Sequence, residues 1–254
     1  MKILGVIPAR YGSTRFPGKA LVSLHGRPLI HWVIEAAQKS KKISDLVVAT
    51  DDERILKAAR DMKVDAVMTD AALPSGTDRA FAASQGRGAD VIVNIQGDEP
   101  LINPLHIDLL ISAFEKKSPP AMATLAHPIS KEELVSKNAV KVVMDDEGHA
   151  LYFSRFAIPY SREAAPSNLN AAACLKHIGM YAYTSEFLQK FCQTKPSALE
   201  LAESLEQLRA LSMGAKIKVF KVNEASLGVD TPEDLIKVSD KISQMMKAKA
   251  GGKK

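Results

Sequence analysis

The chain has 254 residues, of which 46% are hydrophobic and 25% charged, a globular balance that allows a sizeable core without disulfide or metal staples. Most of its net charge of +5 sits on Lys247, Lys249, Lys253 and Lys254 in the tail KAKAGGKK, so it gives little support for a nucleic-acid partner. Cys174 and Cys192 form no zinc or C-x-x-C pattern, the opening MKILGVIPAR breaks at Pro8 before reaching signal-peptide length, and no apolar run spans a bilayer; a soluble cytoplasmic protein without membrane partners is expected.

Lys2–Ile7 is an apolar run of the buried-strand kind. From Pro28, the residues Leu29, Trp32, Val33 and Ala36 recur at helical spacing, with Pro suited to the first helical position. Leu46–Ala49 reads as a strand and Glu53–Met62 as a helix. Asp51 and Asp52 precede that helix, whose N-terminus favours acids, which gives both a structural reading. Ala66–Met68, Asp90–Ile95 and Ala121–Leu125 are further strands, with a helix from about Pro104 to Lys116. Such alternation predicts an α/β fold, doubly wound around a mostly parallel sheet.

The pattern then changes. Val140–Met144 and Ala150–Ser154 flank the turn Asp145-Asp146-Glu147-Gly148, a hairpin signature, and His177–Tyr183 is a strand with an internal glycine. Helices are expected from Ser185 and Ser204, a strand at Lys216–Val222, and a last helix opened by Thr231-Pro232. The expected organisation is an α/β domain (1–125 and 186–246), an inserted β-rich lobe (126–185) and a disordered basic tail (247–254).

The loop after the first strand, Ala9 to Lys19, carries Arg10, Arg15 and Lys19 with Gly12, Gly18, Ser13 and Thr14. Cations neutralise a polyphosphate, and glycine lets backbone N–H groups approach it. G-x-G-x-x-G is absent, which removes the support for an NAD-dependent oxidoreductase. Five residues separate Gly12 from Gly18 and Ala20 follows Lys19, so this is no Walker A loop either. Asp98 follows the most apolar strand, at the crevice where doubly wound sheets bind ligands. Asp230 precedes a helix start, and spacing alone leaves both acids open between turn roles and metal binding. Ser75-Gly76-Thr77-Asp78-Arg79 is a polar segment opening a helix, and Ser204-x-x-Gln207 fits a capping box.

Ordered motifs along the chain carry a further reading. IPARYGSTRFPGKAL at the start is followed by ATDDERI at 49–55, SGTDR at 75–79, NIQGDEPLI at 94–102, NAVKVV at 138–143, ALYFSR at 150–155, KHIGMYAY at 176–183, ESLEQLRAL at 203–211 and GVDTPEDL at 228–235. This series resembles the 3-deoxy-manno-octulosonate (Kdo) cytidylyltransferases over nearly the whole chain. Ala20 and Lys137 depart from the family pattern, which has Pro at each, and neither removes a chemical group.

The resemblance implies a nucleotide-diphospho-sugar transferase-like fold and transfer of CMP from CTP to an acidic ulosonic sugar. It implies Mg2+ held by Asp98 and Asp230, with Lys19 as the third catalytic group. Arg10, Ser13, Arg15, Lys19 and Ser75 to Arg79 would bind the nucleotide. Gln96, Arg155, Arg162, His177, Tyr181, Glu206 and Gln207 would bind the sugar. A homodimer serving lipopolysaccharide synthesis is implied as well. An 8-amino-Kdo or sialate cytidylyltransferase and a non-catalytic nucleotide-binding module are the alternatives.

Overall fold

The computed structural model describes residues 1–12, 15–160 and 173–251. In chain order its elements are β1 (Ile3–Ala9), β2 (Ser23–Leu24), β3 (Arg27–Pro28), α1 (Leu29–Ala37), β4 (Asp45–Thr50), α2 (Glu53–Asp61), β5 (Asp65–Met68), α3 (Gly76–Ser84), β6 (Val91–Asn94) and α4 (Pro104–Ser112). There follow β7 (Met122–Pro128), α5 (Lys131–Val135), β8 (Lys141–Met144), β9 (Ala150–Ser154), β10 (Leu175–Thr184), α6 (Ser185–Gln193), α7 (Ala198–Glu203), α8 (Gln207–Ser212), β11 (Ile217–Lys221) and α9 (Pro232–Gly251). None of the described helices is long and apolar enough to cross a membrane.

The chain divides into two compact units. The first comprises Leu4–Arg87, Asn94–Leu105 and Ser226–Lys254; the second Met1–Ile3, Gly88–Val93 and His106–Ala225. The segment 126–185, read from sequence as an inserted lobe, falls inside the second unit together with α6, α7, α8 and β11.

In the first unit β1 and β5 flank β4, all parallel, with Val6 opposite Val47 and Val48 opposite Ala66. Leu4, Val6 and Ile7 are fully buried, as the unbroken apolar run of a parallel strand requires. In α2 the apolar positions Ile55, Leu56, Ala58 and Ala59 fall on the buried face, and Asp52 caps the helix by accepting from the Arg54 N–H at 2.9 Å.

In the second unit β11 runs parallel to β7 and β10 antiparallel to it, while β8 pairs with both β10 and β9. The β8–β9 hairpin turns at Asp145–Gly148, where the Gly148 N–H donates to the Asp145 carbonyl at 3.0 Å.

Two expectations fail locally. Ser204 does not start a helix or form a capping box; it ends α7 in the left-handed conformation, φ 53. The capping box belongs to Ser197 and Glu200, whose reciprocal hydrogen bonds start α7 upstream. At the C-terminus α9 continues past residue 247 to Gly251, because Lys and Ala are strong helix formers.

Candidate active site

The first unit gathers charge at the end of β1. The loop leaving Ala9 closes on itself where the Gly18 N–H donates to the Tyr11 carbonyl at 2.8 Å. Gly18 has φ +70, and a Cβ on it would lie 2.9 Å from the Tyr11 ring, so conformation and space both demand glycine. The 3-10 turn Lys19–Leu21 follows and aims Lys19 at two carboxylates. Its Nζ lies 2.5 Å from Asp98 Oδ2 and 3.1 Å from Asp230 Oδ1. Arg15 donates to Asp230 Oδ2 at 2.9 Å.

Asp98 sits in the turn after β6. A Cβ on Gly97 would meet the Pro8 carbonyl at 2.5 Å, so the turn lies against the end of β1 only with glycine there. The Asp98 carbonyl accepts the Val229 N–H at 2.8 Å, which draws in Asp230. That backbone bond is how two acids far apart in sequence come to share one ammonium. Beside them burial pushes the Glu99 carboxyl up to about 7; the Ser226 hydroxyl hydrogen bond lowers it, and the Asp98 and Asp230 charges add to the rise.

Arg10, Arg15, Lys19, Ser75, Gly76, Arg79, Gln96, Asp98 and Asp230 line one cleft of about 280 Å³. Ser75 caps α3, its Oγ accepting from the Thr77 and Asp78 N–H groups and donating to Asp78 Oδ2 at 2.6 Å. The SGTDR segment is therefore both a helix start and a cleft wall. Thr77, buried, accepts from Asn94 Nδ2 at 3.4 Å and does not line the cleft; Asp78 is spent on the cap. Arg79 is buried, donating to Thr69 Oγ1 and to Asp51 Oδ2. Ser13 and Arg162 lie outside the described residues.

The other sugar-site candidates lie in the second unit. In a regular strand, residues four apart share a face but stand well separated. Here the register of β10 against β7 shifts between Ile178 and Tyr181, and the rings of His177 and Tyr181 come within 5.4 Å. Thr124 Oγ1 sits 3.1 Å from the Ile178 carbonyl and 2.9 Å from the Met180 carbonyl, close enough to donate its one proton to either. With its proton on a carbonyl, Thr124 accepts from His177 Nε2 at 2.9 Å, which fixes the tautomer. Burial lowers the His177 pKa to about 3, so the ring is neutral, and it raises the Tyr181 phenol, with Glu206 adding. Gln207 is 3% exposed, and its Nε2 is buried without a hydrogen-bond partner.

Arg155 takes a different place. Its guanidinium donates to the carbonyls of Glu203 at 2.8 Å, Ser204 at 3.2 Å and Lys137 at 3.3 Å, bracing the end of β9. Sequence reasoning passed over its neighbour Lys141, fully buried with its three ammonium protons donated to the carbonyls of Ser136, Ala139 and Arg155. An apolar strand pattern around a lysine is the signal that could have marked it.

A glycine-bearing loop rich in cations, leaving the parallel strand β1 and facing paired carboxylates, defines the site of a nucleotidyltransferase. The Cytidylyltransferase family model matches residues 4–217. A 3-deoxy-manno-octulosonate cytidylyltransferase of Bdellovibrio bacteriovorus is 58% identical over 96% of this chain and 98% of its own. One of Geobacter sulfurreducens is 44% identical over 95% and 100%. A solved CMP:2-keto-3-deoxy-manno-octonic acid synthetase complexed with CTP superposes with a TM-score of 0.91 at 42% identity, covering 96% of this chain and 100% of that one. The chain belongs to the 3-deoxy-manno-octulosonate cytidylyltransferase family.

Proposed function

We propose that this enzyme transfers CMP from CTP to 3-deoxy-manno-octulosonate, giving CMP-Kdo and pyrophosphate. The observation that carries the reading is the Lys19 ammonium shared by Asp98 and Asp230 inside a cleft edged by Arg10, Arg15 and Arg79. Cations and carboxylates so placed suit a triphosphate whose α-phosphorus is attacked by the anomeric hydroxyl of the sugar, with pyrophosphate leaving in line. Arg10, Arg15 and Lys19 offset the charge that grows on the phosphate oxygens, an electrostatic contribution that needs no covalent enzyme intermediate.

Asp98 and Asp230 already converge on one cation, and two carboxylates plus phosphate oxygens are the donor set Mg2+ prefers. Bound there, Mg2+ would supply charge neutralisation and a lower pKa for the attacking hydroxyl. Ser75 and Gly76 open the N-terminus of α3 on the cleft, where the helix dipole favours an anion while Ser75 Oγ takes the Thr77 and Asp78 N–H groups.

For the sugar, the unpartnered Gln207 Nε2 supports a role in donating to a hydroxyl, with the neutral His177 and the Tyr181 ring beside each other on β10. Glu206 and Gln96 belong to the same reading through the family motifs. Family membership also supports a cytoplasmic homodimer serving lipopolysaccharide synthesis. Pyrophosphate release with CTP and Kdo, 8-amino-Kdo or a sialate, and with UTP as control, tests the proposal: Kdo with CTP is expected to give the highest kcat/KM, and release from UTP or with a sialate at equal efficiency would overturn it.

A further inference from the structure

Asp51 is the point where two segments that wall the cleft, the first loop and the start of α3, are joined. It stands at the C-terminal end of β4, one residue before the cap of α2, and its side chain does not serve that helix. Oδ1 accepts the Tyr11 N–H at 3.1 Å, and Oδ2 accepts the Arg79 guanidinium at 3.2 Å. One carboxylate thus holds both the loop that carries Arg10, Arg15 and Lys19 and the first turn of α3. The contacts around it hold each segment separately. Arg54 lies over the Tyr11 ring at 3.8 Å from its centroid, and the Tyr11 carbonyl receives the Gly18 N–H. Arg79 is anchored again on Thr69 Oγ1, whose hydroxyl donates to the Thr50 carbonyl at 3.0 Å.

We propose that Asp51 is a positioning residue for CTP, a latch that fixes the first loop and Arg79 relative to each other. Without it Tyr11 loses its acceptor and Arg79 a charge partner, and Lys19, eight residues along the same loop, loses a tether. The nucleotide would then have to order the loop on binding, which weakens affinity without touching the sugar. This inference rests on the reading of the cleft as the CTP site.

The test is CTP binding by titration calorimetry together with steady-state KM values for CTP and Kdo. Asp51→Ala is expected to raise the Kd and KM for CTP about tenfold or more, with the KM for Kdo within about twofold of wild type. Asp51→Asn keeps an acceptor for Tyr11 but not the charge on Arg79, so it should fall between. It also decides the matter if Asp51→Ala does not fold. A merely structural aspartate would lower thermal stability and the active fraction while leaving both KM values alone, and that result overturns the proposal. Lys19→Met is the control on the site: if it weakens CTP binding while both Asp51 variants do not, the latch is wrong and the site stands. If none of the three weakens it, the CTP site is wrong as well.

Discussion

Gln207 shows what a single buried amide costs the fold. Its amide nitrogen is buried without a partner in a helix start that is otherwise packed, and such a donor costs stability of order 1–3 kcal/mol. Gln207→Met fills similar volume and removes the donor. It is expected to stabilise the protein by about 1 kcal/mol in urea denaturation and to raise the KM for Kdo, leaving the KM for CTP unchanged. Lower stability with an unchanged Kdo KM would remove the residue from the sugar site. Arg155 is the opposite case: the family motif marks it for sugar, yet three of its N–H groups are committed to backbone carbonyls. The identity of a residue was readable from the sequence, whereas the direction of its side chain depends on chain far away.

At the scale of elements, strands and caps were the legible part. β1, β4, β6 and the β8–β9 hairpin lie where apolar runs and turn residues put them. The region after residue 195 was less legible, because α7 and α8 are six residues each, too short for a 3.6-residue period to show. Their union is made by a pair nine residues apart instead. Glu200 and Arg209, both buried, face each other bidentately at 2.8 and 2.5 Å, and Arg209 also donates to the Phe191 and Thr194 carbonyls. Removing one partner strands a buried charge, so Arg209→Met should cost about 3–5 kcal/mol in urea denaturation. A loss under about 1 kcal/mol would show that the pair is not what holds α7 to α8. The meeting of Asp98 with Asp230 was likewise invisible in spacing; it depends on Gly97 lying against Pro8 and on the Val229 N–H.

For the molecule as a whole, pH offers a test of how the buried ring of His177 is accommodated. Its pKa falls from 6.5 to about 3 through burial. The unfolded chain therefore takes up the proton first as pH drops, so the contribution to stability is complete above 6.5 and lost progressively towards 3. Between pH 7.5 and pH 5 that loss is roughly 2 kcal/mol. His177→Gln should lose correspondingly less over the same interval, since the carboxylates titrate equally in both proteins. Identical losses would contradict a buried neutral ring.

The central claim is that Asp98, Asp230 and Lys19 form a centre that releases pyrophosphate from CTP. It is tested most directly by pyrophosphate release with CTP, Kdo and Mg2+ in wild type, Asp98→Asn and Asp230→Asn, all verified as folded. The account predicts that wild type turns over and that each substitution lowers kcat by at least about a hundredfold. Near wild-type turnover in either variant would contradict it.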